Sequence, residues 1–289
     1  MHVIDSTLNL LSLSLAFTLI GLNVCISSKI LNVTDLTCDT SVTLGGCSYG
    51  ALVLSGMNPF VAFFISMCLG AGAGLITACL ASGVRMEPVL ASIVTLTALQ
   101  TLIVKLYEWG NGYLKITPSA LSLQTSLDNC ITTVMIVTCL CVLFYKMLNS
   151  EYGLAMRVYG GGRIISESMG INNNRMFCVG LMVGNGLAAI AGALITQTSC
   201  SFSTSMGSGS IVFGLAAVII GEKMLNPKTI RGEICGYFLG ALMYKLLLEL
   251  ATLCGASFGS EYNNVTIAVV LTFLMALMRE KKRDTLENV

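Results

Sequence analysis

The sequence predicts an all-α polytopic membrane protein, a bundle of about nine transmembrane helices, and three observations carry that prediction. Of its 289 residues, 55% are hydrophobic and only 11% are charged, with a mean hydropathy of +0.81, whereas soluble domains carry about 25% charge. Such a chain has too few charges to cover a water-facing exterior. Apolar runs of roughly 20 residues recur along it, the length that crosses the hydrocarbon core of a bilayer. Lysine and arginine collect in alternate connecting segments, the pattern that orients a membrane protein.

Residues 7–26 are apolar and long enough to span; no basic stretch precedes them and no small-residue cleavage motif follows, so they read as a retained span. Residues 28–40 are polar, and Asp35 and Asp39 stand where a carboxylate caps the start of the next helix and meets the positive end of its dipole. Residues 44–56 are short for a span and rich in glycine, and Asn58-Pro59 separates them from 60–80, where Gly70, Gly72 and Gly74 allow close helix approach. After Arg85, residues 88–104 form the next span. The polar segment 107–129 carries Tyr107, Trp109 and Tyr113, interfacial aromatics of an external loop. Residues 131–146 and 177–197, a second short glycine-bounded segment at 210–221, and residues 232–253 and 265–277 complete the series.

The two short segments echo each other. Residues 49–56 (YGALVLSG), followed by Asn58-Pro59, resemble residues 213–221 (FGLAAVIIG), followed by Asn226-Pro227. In the expected topology one runs outward and the other inward, the arrangement of an inverted repeat, where glycine-interrupted half-spans mark the pathway. The orientation follows from the basic residues: Lys29, Arg85, Lys146 to Arg175, Lys223 to Arg231 and Arg279 to Arg283 share one side, and only Lys105 and Lys115 fall on the other. The basic side is cytoplasmic, which puts the N-terminus outside and the C-terminus in the cytoplasm of a bacterial inner-membrane protein.

Several functions are excluded by what is missing. The twelve cysteines include no C-x-x-C pair, and the single histidine is His2, so neither a metal site nor a histidine-based catalytic site is expected. No Gly-x-x-x-x-Gly-Lys-Ser/Thr motif occurs, so the chain holds no nucleotide site of its own. The spans also offer few carboxylates for ion coupling: Glu249 stands one helical turn from Lys245, a spacing that pairs them, and Glu222 and Glu233 sit at membrane edges. Transport driven by a separate ATPase is therefore preferred over an ion-coupled secondary transporter, and an enzyme is not expected. No nucleic-acid partner is indicated.

Between the spans at 131–146 and 177–197 lies the longest basic, glycine-bearing loop, residues 149–176. Within it residues 164–169 (IISESM) suit a short helix closed by Gly170 as C-cap, the form of a docking element. The polar residues inside spans or at their outer ends are Thr95, Thr97, Gln100 and Thr101, then Asn185, then Gln197, Ser205, Ser208 and Ser210. Such groups must face protein or water. Gln100 and Asn185, both well inside their spans, are the best pair of candidates to line a pathway, with Ser208 and Ser210 at its outer end.

The runs LAAIAGALITQ, SMGSG and FGLAAVIIGE, preceded by GLAMR and MGIN, resemble the permease subunits of ATP-binding-cassette (ABC) importers of the branched-chain amino acid and ribose class. The pieces LNVTDLTCDTSVTLGG and SGMNPFVAFFISMCLGAGAGLIT resemble more particularly the tryptophan/tyrosine-uptake branch, and together these runs cover most of residues 31–277. The resemblance implies one permease domain over residues 1–289, a second permease copy, a cytoplasmic ATPase dimer carrying the ATP and Mg, and an extracytoplasmic binding protein that delivers substrate. It also implies that Gly153, Arg157, Gly160, Arg163 and Ile164 to Asn172, with Glu167, Ser168, Gly170 and Ile171 among them, form the coupling helix and its flanks. One departure touches this loop: the family commonly carries an acidic residue or asparagine after the glycine matching Gly160, where this chain has Gly161-Gly162-Arg163. Amino acid uptake is the expected activity, with sugar or nucleoside uptake as the alternative.

Overall fold

A computed structural model of the chain describes residues 2–110, 126–225 and 229–255, all helices and connecting turns. One compact unit covers Met1–Ala241, and the remainder of the last helix belongs to a second unit, Leu242–Val289. The expected span at 265–277 and most of the expected outer loop lie outside the described residues, as does the side chain of Glu249 in its expected pair with Lys245.

The first helix, α1 (His2–Val24), continues through a π-helical turn, Cys25–Ile30, so that Thr7–Ile30 forms one apolar stretch of 24 residues. Four further stretches among the described residues are long and apolar enough to cross a membrane: α3 (Pro59–Gly83), α4 (Pro88–Trp109), Leu127–Leu148 within α5 (Ser126–Leu148), and α8 (Asn173–Ser199). The breaks between them follow local rules. Asn58 caps α3 by accepting from Phe60 N at 3.0 Å, and Pro59 takes the first turn, where its missing N–H costs nothing. Pro88 opens α4 in the same way.

Two helices form the centre. Both α1 and α8 are buried along most of their lengths, and α8 packs on α1, α2 (Thr37–Leu54) and α3. The helices α3 and α5 are peripheral and turn large apolar side chains outward, with Phe60 74%, Phe64 62% and Met135 67% exposed. That is the surface a lipid-facing helix presents, since hydrocarbon solvates these groups as well as a protein core does.

The short helices α2 and α9 (Ser210–Leu225) depart from expectation. The first begins at Thr37, seven residues before the predicted 44, and has 18 residues. Its backbone lies directly on α8: a Cβ added to Gly45 would stand 2.0 Å from the Ala189 carbonyl oxygen, and one on Gly192 would stand 1.9 Å from that of Val42. The second packs on α1, with Gly214 against Val24 and Ile20. Each short helix thus lies against the long central helix of the other half of the chain. Beyond α9, α10 (Ile230–Gly255) returns across it, with Gly221 against Gly236 and Gly240 against Ala217.

The polar loop of the sequence is mostly helical. It contains α6 (Glu151–Gly161) and the six-residue α7 (Arg163–Ser168) before α8 starts at Asn173. Asn172 accepts from Arg175 N at 3.1 Å and caps α8, so the helix begins earlier than its apolar run.

Candidate functional site

Halfway along α8, Asn185 is wholly buried and every hydrogen-bonding group of its amide is used. Its Nδ2 donates to Asp35 Oδ2 at 2.7 Å and to the Leu181 carbonyl at 3.1 Å, and its Oδ1 accepts from Ser41 Oγ at 2.7 Å. Asp35 Oδ1 in turn accepts from Thr37 N at 2.9 Å and from the Thr37 hydroxyl. The segment before α2 therefore climbs back into the bundle, and α2 starts at the level of the middle of α8. The carboxylate of Asp35 is paid for by these donors, as a buried charge requires.

Asp39, one turn into α2, does not cap its own helix. Its Oδ2 accepts from Gly209 N at 3.0 Å and its Oδ1 from Ile211 N at 2.9 Å, which closes the start of α9. Gly207 N donates to Thr43 Oγ1 at 3.1 Å, fixing the preceding turn on the same face of α2. The N-termini of both short helices thus meet at mid-depth, one positive dipole end held by each carboxylate. Two shorter helices whose starts face each other inside the bundle give a polar centre that full spans cannot give.

The second candidate region lies at the α7 end of the bundle. α7 ends as its sequence requires: Gly170 has φ +76°, Gly170 N donates to the Glu167 carbonyl at 3.0 Å, and Ile171 N reaches back to the Ser166 carbonyl at 3.0 Å. Glu167 Oε1 accepts from Asn173 Nδ2 at 3.0 Å, and the Ser166 hydroxyl donates to Asn173 Oδ1, so α7 is tied to the first residue of α8. Its outer face carries Ile164, 84% exposed, with Ile165 and Met169 also exposed. Gly160 of α6 rests on the π-helical turn, where a Cβ would stand 1.9 Å from the Ile30 carbonyl oxygen. A cavity of about 490 Å³ opens beside α7, lined by Arg85, Glu87, Glu167, Asn173, Tyr159 and Phe177 among others.

The predicted site residues divide accordingly. Glu167, Ser168, Gly170, Ile171 and Asn172 stand in or beside α7, and Arg157 on α6 donates to the Leu148 carbonyl at 3.4 Å. Arg163 opens α7, and its side chain lies outside the described residues. Gln100 and Asn185 are not brought together: Gln100 is exposed on α4 while Asn185 is buried among Asp35, Thr37, Ser41 and Leu181. Residues inward on α4 are Ser92, Thr95, Leu99 and Ile103, so its other face carries Thr97, Gln100 and Thr101 outward. Ser208 is exposed and Ser210 buried at the start of α9, at mid-depth and not at an outer end. The reading of Asp35 and Asp39 as residues that only cap α2 is also corrected, because they are partners of α8 and α9. Sequence reasoning missed them because a helix start buried inside protein has the same polar composition as a loop. Among the described residues no group of three or more His, Cys, Asp or Glu side chains converges on a metal position.

Residues 6–278 match the family described as the permease component of the branched-chain amino acid transport system. The tyrosine transport system permease protein of Clostridioides difficile is 24% identical over 267 residues, 92% of this chain and 90% of that protein. The ribose import permease RbsC of Bacillus subtilis is 25% identical over 262 residues, 86% of this chain and 76% of that one. In fold, the chain is similar to a solved inward-facing conformation of an ABC transporter assigned to the metal-chelate type, with a TM-score of 0.57 at 12% identity, over 95% of this chain and 84% of that one.

Proposed function

This chain belongs to the family of the branched-chain amino acid transport system permease component, and from that membership we propose that it forms the translocation path of an amino acid importer as a homodimer. As an ABC transporter permease it is a membrane subunit and not an enzyme, and it resides in the cytoplasmic membrane. A cytoplasmic ATPase dimer docks on α7, and an extracytoplasmic binding protein delivers substrate from the other side. The observation that carries this reading is α7 itself: a six-residue helix, closed by Gly170, presenting Ile164, Ile165 and Met169 to its surroundings. An exposed apolar tip on an otherwise polar connection has no role in the fold and suits a groove on a partner. Amino acids are favoured by the relation to the tyrosine permease, which covers nearly the whole of both chains. The relation to ribose permeases supports sugar as the second reading.

The path runs between two copies. Gln100 supports this, since an amide left in lipid costs several kcal/mol and its helix turns Thr97 and Thr101 the same way. With Ser208 and Ser210 at the start of α9, these are the pathway residues we propose; Asn185 holds their scaffold. Reconstitution with the cognate ATPase and binding protein should give ATP-dependent uptake of labelled L-tyrosine and none of ribose. Uptake of ribose alone would replace the amino acid reading, and uptake driven by an ion gradient without ATP would remove the ABC mechanism. The orientation has its own test: in a background whose native cysteines are silent to the reagent, Asn111→Cys should label from outside intact cells and Arg163→Cys should not. Equal labelling would overturn an external N-terminus.

A further inference from the structure

We propose that Lys29 is the positioning residue that passes movement of the docking loop to α9 and α10, an inference that rests on the importer reading above. Lys29 lies in the π-helical turn that ends α1, and its Nζ stands 2.7 Å from Glu222 Oε1 near the end of α9 and 3.2 Å from Glu233 Oε1 in the first turn of α10. The same ammonium is 3.5 Å from the hydroxyl of Tyr237, which also accepts from Cys25 Sγ at 3.2 Å. One lysine therefore ties the ends of three helices. The next residue, Ile30, has its carbonyl under Gly160 of α6 without room for a Cβ, and Leu31 packs against Gly180 of α8. A displacement of α6 and α7 must carry Ile30 with it, because backbone meets backbone there and nothing soft lies between.

The far end of α9 is held by Asp39, and its near end by Lys29. Between them α9 is a rigid strut, packed on α10 through Gly221 and Gly236. The ion pairs are partly exposed, with side chains 41%, 37% and 30% accessible for Lys29, Glu222 and Glu233. Such pairs contribute about 1 kcal/mol or less to stability, so their role is not to hold the fold. They set where the ends of α9 and α10 stand relative to α1. Without the ammonium, two carboxylates share one site and repel. The π-helical geometry suits a moving joint, since single π-helical turns occur frequently at functional sites. The link is a contiguous set of contacts from α7 through α6 and the π turn to α9, which a mechanical coupling requires.

The test uses the whole importer in proteoliposomes, with L-tyrosine as probe, and measures uptake per ATP hydrolysed together with hydrolysis in the absence of binding protein. Lys29→Met should lower uptake per ATP at least tenfold and raise the unstimulated hydrolysis at least threefold, while the ATPase still copurifies with the permease. Lys29→Arg should stay within twofold of the parent on both readouts. Lys29→Glu should be as defective as Lys29→Met, and adding Glu222→Lys should recover at least half of the parental coupling by restoring one cation between two carboxylates. A merely structural lysine would alter yield without changing the ratio. Parental coupling in Lys29→Met, or no recovery in the exchanged pair, would overturn the proposal. Should Lys29→Met fail to accumulate, the pair Glu222→Gln with Glu233→Gln must show the same uncoupling, and parental coupling there would overturn it equally. A parent importer that hydrolyses ATP without moving L-tyrosine would count against the substrate reading alone. The unstimulated hydrolysis rates would then decide the role of Lys29, with an unchanged rate in Lys29→Met overturning it.

Discussion

Replacing Gly192 with alanine is expected to remove most of the folded permease from the membrane. The added methyl would stand 1.9 Å from the Val42 carbonyl oxygen, and the obstacle is helix backbone. A flexible side chain could turn aside at a cost of about 1–3 kcal/mol, the usual range for overpacking. Here α2 must instead lift away from α8, which also strains the bond from Ser41 to Asn185 and those from Gly209 and Ile211 to Asp39. The cost should exceed that range, a large part of the roughly 5–15 kcal/mol that holds a domain folded. Gly186→Ala supplies the control on the same helix, because its Cβ would find its first neighbour at 3.6 Å, an ordinary contact. The measurement is the yield of monodisperse permease after mild detergent extraction. Gly192→Ala should fall at least fivefold and Gly186→Ala should match the parent; equal yields would show that the α2–α8 crossing is looser than its backbone distances imply.

The second large effect is expected at α7. Ile164→Asp combined with Ile165→Asp places two charges on its exposed apolar face, and burying them in an ATPase groove without partners would cost several kcal/mol. ATP-dependent uptake should fall more than tenfold while insertion and yield stay unchanged, since both side chains are exposed. Gly170→Val tests the same element by another route. Nothing lies within 4 Å of its Cβ position, so the substitution meets no clash, and its whole effect comes from the positive φ that a β-branched residue resists at roughly 1 kcal/mol or more. Transport at parental rates in both variants would remove the coupling role of this helix.

The boundaries of α7 were legible to within one residue at each end. Residues 164–169 were expected as a helix closed by Gly170, and the helix is Arg163–Ser168 with Gly170 at positive φ. A C-terminal cap is a local property: one residue without a Cβ permits the backbone turn, so six residues of sequence suffice. The central spans were legible for a related reason, because hydropathy adds up along a helix and needs no partner. The helical character of α6 was not, since Glu151–Gly161 carries three glycines and gains its regularity by packing Gly153, Met156 and Tyr159 against its neighbours.

What the sequence determined by itself is the class of the molecule, the long spans, the short helix α7 and the likeness to ABC permeases, all of which follow from composition, local periodicity or short motifs. What only the tertiary structure decided is the depth of the polar residues. Asp35 and Asp39 both read as caps of the next helix until Asn185, 150 residues from Asp35, donates to the first and Gly209, 170 residues from Asp39, donates to the second. The same holds for Gln100, whose helix face turns it away from Asn185. The physical reason is that a buried polar group takes its role from the donor or acceptor that satisfies it. In these cases the partner stands on another helix, so no window of local sequence contains both halves of the interaction.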